Sequence, residues 1–571
     1  MKIPRAILAF LSLALGACAT AAPSYDAIIR GGTVYDGTGV QGVIADVAIE
    51  GDRIAAVGDL GRAKAATEID AGGRAVAPGF INVLSWATET LIEDGRGESD
   101  IRQGVTLEVF GEGWSMGPLN PAIRAESLKR QGDIKFDIPW TSLGEYLEHL
   151  ETRGISPNVA SFAGATTVRI HELGYEDRAP DAEELARMQE LVRAAMREGA
   201  LGVGSSLIYA PAFYAQTDEL IALTKAAAEF GGGYITHMRS EGDRYLEAID
   251  ETIAIAKGAD TRAQIYHLKP AGRANWDKSA AGLAKLDAAR AGGVDISANI
   301  YTYTAGATGL NAAMPPWVQE GGHDAWVARL KDPKTRKRVI KEMRAPAKGW
   351  ESLYQLAGSA DNVLLIGFKN DALKPLTGKT LAEVALMRGK SPEDTIVDLV
   401  IEDDSRVDTA YFLMSEDNIR RNIQWPHMMF GSDEGAYSPE GVFLKSNAHP
   451  RAYGTFARLL GKYVRDEKVI PLEEAIRRLT SLPADALKIR ERGRLKTGNY
   501  ADIVVFDPAV IGDTATFDKP HQLATGVSHA FVNGALTLSD GTHTGAKAGR
   551  VVRGPGWTGW ADASDDANTD D

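Results

Sequence analysis

Eight apolar segments, each the length of one buried strand, punctuate the middle of this chain, and helical patterns separate several of them. They span residues 76–86, 105–112, 159–164, 201–206, 233–237, 263–267, 294–301 and 428–433. Between them, 182–197 carries apolar residues at helical spacing, and 217–230 opens on a threonine suited to capping and stops at three glycines. Strands alternating with helices build a parallel sheet, and eight such units close into a (β/α)8 barrel. The stretch from about 310 to 425 is too long for a loop. Its strand-like 362–368 and helix-like 380–388 read as a small α/β insertion before the last barrel strand. Short strands broken by Gly- and Asp-rich turns recur at both chain ends, at 27–30, 46–49, 501–507 and 530–534. This predicts a small β-domain built from 24–75 and 486–555, flanking a barrel of 76–485. The Asp-rich residues 556–571 read as a solvated tail without a packed core.

The net charge of −14, with no basic stripe to track phosphates, excludes a nucleic-acid partner. Cys18 is the only cysteine. Lys2 and Arg5 precede an apolar run over 6–15, too short to span a bilayer but suited to the core of a secretory signal. The run closes on Leu15-Gly16-Ala17-Cys18, which resembles a bacterial lipobox. The expectation is a signal peptide over 1–18 and an acylated Cys18 that anchors an exported protein on the periplasmic side of a membrane. The alternative is an ordinary signal cleaved near Ala21 or Ala22 and a soluble periplasmic protein. With Cys18 used this way, no thiol remains for a disulfide, a nucleophile or a metal.

Active sites of such barrels lie at the C-terminal strand ends. Here those ends carry Glu112, His237, His267, Tyr301 and Asp433. His237 and His267 end consecutive strands, and strands about 4.8 Å apart can bring two imidazoles to one metal ion. Glu112, between two glycines that would permit close approach, is the candidate carboxylate ligand; a solvent-facing glutamate is the alternative. Two histidines and one carboxylate leave a coordination position for water, as in catalytic zinc sites. Asp433 ends a strongly apolar strand, where a carboxylate is costly without a partner or a task. It is the candidate general base, with a helix cap as the alternative. Lys269 and Arg451 could bind an anionic substrate.

Several ordered segments resemble the N-acyl-D-amino-acid deacylases of the amidohydrolase superfamily. They are Gly199 to Tyr209, Thr236-His237-Met238-Arg239 with Glu241-Gly242-Asp243, His267-Leu268-Lys269, Tyr301-Thr302-Tyr303-Thr304, Gly431-Ser432-Asp433, His449-Pro450-Arg451 and Gly541-Thr542-His543. The resemblance implies a metal-dependent barrel that cleaves an N-acylated D-amino acid to a carboxylate and the free amino acid. It places His237 and His267 on the metal and makes Asp433 the general base. Lys269, Tyr303 and Arg451 fall where the family holds the substrate α-carboxylate. The chain departs from the pattern twice. The strand-one His-x-His is replaced by Leu84-Ser85-Trp86, which points to one divalent ion, zinc by expectation, in place of two. Glu112 stands where the family often has cysteine. Related chemistries kept open are hydrolysis of cyclic amides or of D-amino-acid dipeptides, and a lipid-anchored binding protein that has lost catalysis.

Overall fold

A computed structural model describes residues 24–560. The lipidation reading at Cys18 and the tail residues 561–571 lie outside this range. Among the described residues no helix is long and apolar enough to cross a membrane.

The alternation of strands and helices does form a barrel. One parallel sheet runs Met428–Phe430, Ile296–Ile300, Ala263–Ile265, Gly233–His237, Gly202–Ser206 and Ala163–Gly164. A second holds Phe80–Asn82, Val105–Phe110 and Asn158–Ser161, also parallel. The sheets meet at two seams. At one, the third strand is a single stretch bent at Phe162, and Leu201 N donates to Ser161 O at 2.9 Å. At the other, the first and last strands are joined by Val83 N to Phe430 O (3.4 Å), Asp433 N to Leu84 O (2.8 Å) and Trp86 N to Glu434 O (2.8 Å). Ile81, Leu107, Ala160, Ile235 and Met429, from five different strands, and Leu201, just before a sixth, pack together in one buried cluster that fills the barrel. Helices such as Ala182–Arg197 and Tyr245–Ala259 cover the outside with their apolar faces.

The sequence segment 76–86 divides at Gly79. Ala75–Pro78 joins the end sheet and only Phe80–Asn82 belongs to the barrel. A Cβ on Gly79 would lie 2.1 Å from the Thr106 hydroxyl, so glycine is needed where the chain passes between the layers. The end sheet draws on both chain termini: Ile503–Phe506 pairs antiparallel with Ala75–Pro78, and Ser24–Val34 continues the sheet beyond it. The insertion begins earlier than 310. Ala305–Gly309 already pairs with Asp408–Phe412, which also pairs with Val363–Gly367, giving a three-stranded antiparallel sheet. Thr217 is not a cap: it is the first helical residue, after Gln216, and its hydroxyl donates to Glu251 at 2.8 Å. Residues 556–560, assigned to the tail on composition, are packed, with Thr558 N donating to Arg197 O and Arg490 lying over Trp560.

A buried polar knot ties the end sheet to the barrel. Asp502 accepts from Asn533 N at 2.8 Å and pairs with Arg492, while Asn158 on the third barrel strand bonds both Asp502 and Asn533. Removing one partner leaves a buried charge without compensation. Asp502→Ala is therefore expected to lower stability by about 3–5 kcal/mol. Arg178→Ala, which breaks an exposed pair with Glu184, should leave it nearly unchanged. Urea denaturation of the two variants measures the difference.

Candidate active site

The barrel mouth gathers its polar residues through three backbone devices. Ile235 points into the barrel core, and His237, two residues on, extends the same face to the mouth. His267 lies on the opposite parity, since Ile265 packs outside and Tyr266 inside. Thr236 pairs with Ile265, so His237 is level with Tyr266 and His267 stands one residue further along. A left-handed turn at His267 (φ 33°) swings its ring back to the mouth, and Asn299 accepts from its backbone N–H at 2.8 Å. Glu112 is likewise on the outer parity and is turned inward after Gly111 (φ 107°). The flanking glycines serve strand packing: a Cβ on Gly111 would meet Phe162 O at 2.5 Å, and one on Gly113 the Ser206 hydroxyl at 2.7 Å. Asp433 also has left-handed backbone (φ 55°), pinned by its bond to Leu84 O. Two such residues store about 1–3 kcal/mol each, which the surrounding structure must hold.

Glu112, His237 and His267 converge. Glu112 Oε1 lies 3.1 Å from His237 Nδ1 and 3.0 Å from His267 Nε2, and all three side chains are buried. Among the described residues this is the one group of three or more His, Cys, Asp or Glu whose ligand atoms fall within 4.8 Å of one another. Ligands of a tetrahedral zinc at bond lengths of about 2.0–2.1 Å stand about 3.3–3.4 Å apart. Two nitrogens turned onto one carboxylate oxygen at nearly that spacing suit a divalent ion. The electrostatics agree. Burial pushes the Glu112 carboxyl up, but hydrogen bonds from both histidines more than offset it and hold it well below the usual range. Burial and Lys269 press His267 down, yet Glu241 and Glu112 raise it to about 9. The pocket favours positive charge at this point.

Behind His267 stands Glu241, a residue whose role was not read from the sequence. Its Oε1 lies 2.9 Å from His267 Nδ1 and accepts from Lys269 Nζ at 2.6 Å. Burial raises Glu241, while the charges of Lys269 and His267 draw it down to about 2. It therefore orients the imidazole and neutralises Lys269, as an outer partner of a metal ligand does. Glu351, from the insertion, accepts from Ser240 Oγ and from the backbone N–H groups of Glu241 and Gly242 at 2.7–2.8 Å, fixing this turn.

Across the mouth, Arg451 Nη1 is 2.7 Å from Asp433 Oδ2 and its Nη2 donates to Asp433 O at 2.6 Å. Burial raises the Asp433 carboxyl, and Glu112 adds to the rise against the opposing charge of Arg451. These groups line one cavity of about 740 Å³ with Lys269, Tyr301 and Trp86. Tyr303 does not join them. The strand ends at Ile300, and the chain then turns so that the Tyr303 hydroxyl donates to Asp513 at 2.9 Å beneath Arg458. Tyr301 takes that place, its ring 4.5 Å from the Arg451 guanidinium and its buried hydroxyl without a partner.

A signature of the amidohydrolase family spans residues 67–538. D-aminoacylase of Alcaligenes xylosoxydans xylosoxydans is 34% identical over 532 residues, covering 92% of this chain and 97% of the relative. A solved N-acyl-D-glutamate deacylase from Bordetella bronchiseptica, bound to zinc and a phosphonate mimic of the tetrahedral intermediate, superposes with a TM-score of 0.76 at 30% identity. That alignment covers 93% of this chain and 100% of the other. A D-aminoacylase structure described by its binuclear centre, with one-metal activation and second-metal attenuation, gives 0.76 at 34% identity with the same coverage.

Replacing Glu241 by Gln removes the charge between His267 and Lys269. Metal affinity, followed by competition with a chelator, is expected to fall about 10- to 100-fold.

Proposed function

The chain belongs to the amidohydrolase family, and from that premise we propose that it uses a single divalent ion, zinc, to deacylate N-acyl-D-amino acids. Glu112, His237 and His267 would hold the ion. When bound, it supplies Lewis acidity to the acyl carbonyl and lowers the pKa of the attacking water. The remaining work falls to side chains. Asp433, the carboxylate at the mouth, accepts the proton lost by water and delivers it to the leaving nitrogen as the C–N bond breaks. Its raised affinity for a proton suits both halves of that transfer. The products are the carboxylate of the acyl group and the free amino acid.

The observation that carries an anionic amide substrate is a set of buried donors without acceptors. Arg451 Nε and the Tyr301 hydroxyl are buried without a hydrogen-bond partner, and Arg451 Nη1 has only its charge contact with Asp433 Oδ2. Lys269 stands nearby, 5.6 Å from the Tyr301 ring centre. Such groups are costly to leave unsatisfied. The α-carboxylate of an acylated amino acid would satisfy them, bound by Arg451, Tyr301 and Lys269 beside the scissile bond. We further propose that the protein is exported and held at a membrane through acylated Cys18.

The test is a screen of N-acetyl and N-succinyl D-amino acids, with L-isomers as controls, on protein of known metal content. D-selective hydrolysis is expected, and selectivity for L-isomers would overturn the substrate reading. Asp433→Asn should lower kcat about 10²- to 10⁴-fold with bound metal retained; His237→Ala should lose the metal. An enzyme indifferent to both changes would sink the site. Metabolic labelling with an alkyne fatty acid should mark the protein and fail on Cys18→Ala; equal labelling of both would refute the anchor.

A further inference from the structure

Trp86 sits where the family resemblance puts the second histidine of strand one, and its indole does more than fill space. Its Nε1–H points at two carboxylates at once, 2.9 Å from Glu112 Oε2 and 3.2 Å from Asp433 Oδ1. The residue is fixed from behind by the bond from its backbone N–H to Glu434 O at 2.8 Å. Its ring is 37% exposed, on the wall of the cavity. An indole N–H donates and has no lone pair in the ring plane for a metal. Leu84, two residues earlier, is buried and offers no donor atom, with its Cβ set against Gly431.

Two buried carboxylates that face one another repel, and something positive must lie between them. In a binuclear centre a second ion does this. Here one polarised hydrogen is shared by both acids. Glu112 is left with Oε1 for the histidines and Oε2 for the indole. Asp433 is gripped on both oxygens, Oδ1 by Trp86 and Oδ2 by Arg451. Its carboxylate plane is therefore set by two rigid partners.

Resting on the one-ion reading given above, we infer that Trp86 stands in for a second metal ion. Its indole N–H bridges the ligand carboxylate and the proton-transfer carboxylate, closes the site to a second ion, and positions Asp433. Trp86 is thus a positioning residue, acting through Asp433 and Glu112. A further expectation is insensitivity to excess metal, because the second position lacks both imidazole donors and its carboxylates are occupied by the indole N–H.

Full-length protein stripped with a chelator and titrated with zinc, read by calorimetry and elemental analysis, is expected to saturate at one equivalent. Leu84→His/Trp86→His, which restores imidazole donors, should take up a second. Trp86→Phe keeps the ring and loses the N–H; it should still bind one equivalent while kcat falls about 10- to 100-fold and KM changes less than about twofold. Two equivalents on active wild-type protein, or a double variant that stops at one, would overturn the claim that these side chains close the second position. Unchanged kcat in Trp86→Phe would overturn the positioning role. Wild-type protein that binds no zinc at all would defeat the proposed function together with this inference, whereas two ions on a working deacylase would leave the deacylation standing and defeat the one-ion reading and this inference.

Discussion

One carboxylate oxygen, Glu112 Oε1, shared at 3.0–3.1 Å by two imidazole nitrogens, is the contact around which the barrel mouth is organised. A carboxylate and two rings buried this closely are held by the partners of their remaining polar atoms. Glu112 Oε2 is answered by Trp86, and His267 Nδ1 by Glu241. His237 Nε2 is buried without a partner. The charges alternate outward from the centre, so that acids lower one another's cost through the bases between them. The links come from four barrel strands and the loops that follow them, which makes the site a property of the closed ring and not of any one segment.

The insertion takes part in this arrangement. Glu351 has no direct contact with the histidines, yet it accepts two backbone N–H groups and a hydroxyl from the turn that carries Glu241. Its own carboxyl is pushed up to about 7, by burial first and then by the charge of Glu241. A carboxyl raised in this way stabilises the fold in its protonated form and loses that advantage as pH climbs past the value in the folded protein. Arg406 and Asp408, at the end of the insertion's central strand, reach the same cavity. Part of the cavity wall is thus built by a segment that interrupts the barrel.

The (β/α)8 order, the end sheet and the inserted sheet were legible because strand and helix periods differ so plainly along the chain. His237 and His267 were legible as polar ends of apolar strands, and Glu112 and Asp433 for the same reason. What periodicity does not carry is the direction of the chain after a strand stops. Tyr301 and Tyr303 share a parity, but the turn after Ile300 sends one to the cavity and the other to Asp513. Glu241 was read only within a family segment and without a role, because it lies in a loop four residues beyond the strand-end histidine, where periodicity marks nothing. Gly79 hid a change of sheet inside what reads as one apolar run, since a single glycine between two apolar stretches gives no hint that the layers differ.

The ladder between Ala75–Pro78 and Ile503–Phe506 also governs how the molecule is made. Synthesis proceeds from the N-terminus, so the Ala75–Pro78 edge emerges long before its partner exists. Val76 and Ala77, wholly buried in the finished protein, face the surroundings through nearly the entire period of elongation. An open apolar edge of that kind is a template for pairing with other chains. The last barrel strand, Met428–Phe430, arrives almost as late, so neither the ring nor the end sheet can close before the chain is nearly complete. A nascent chain of this topology depends on being kept apart from its neighbours until its final hundred or so residues have appeared.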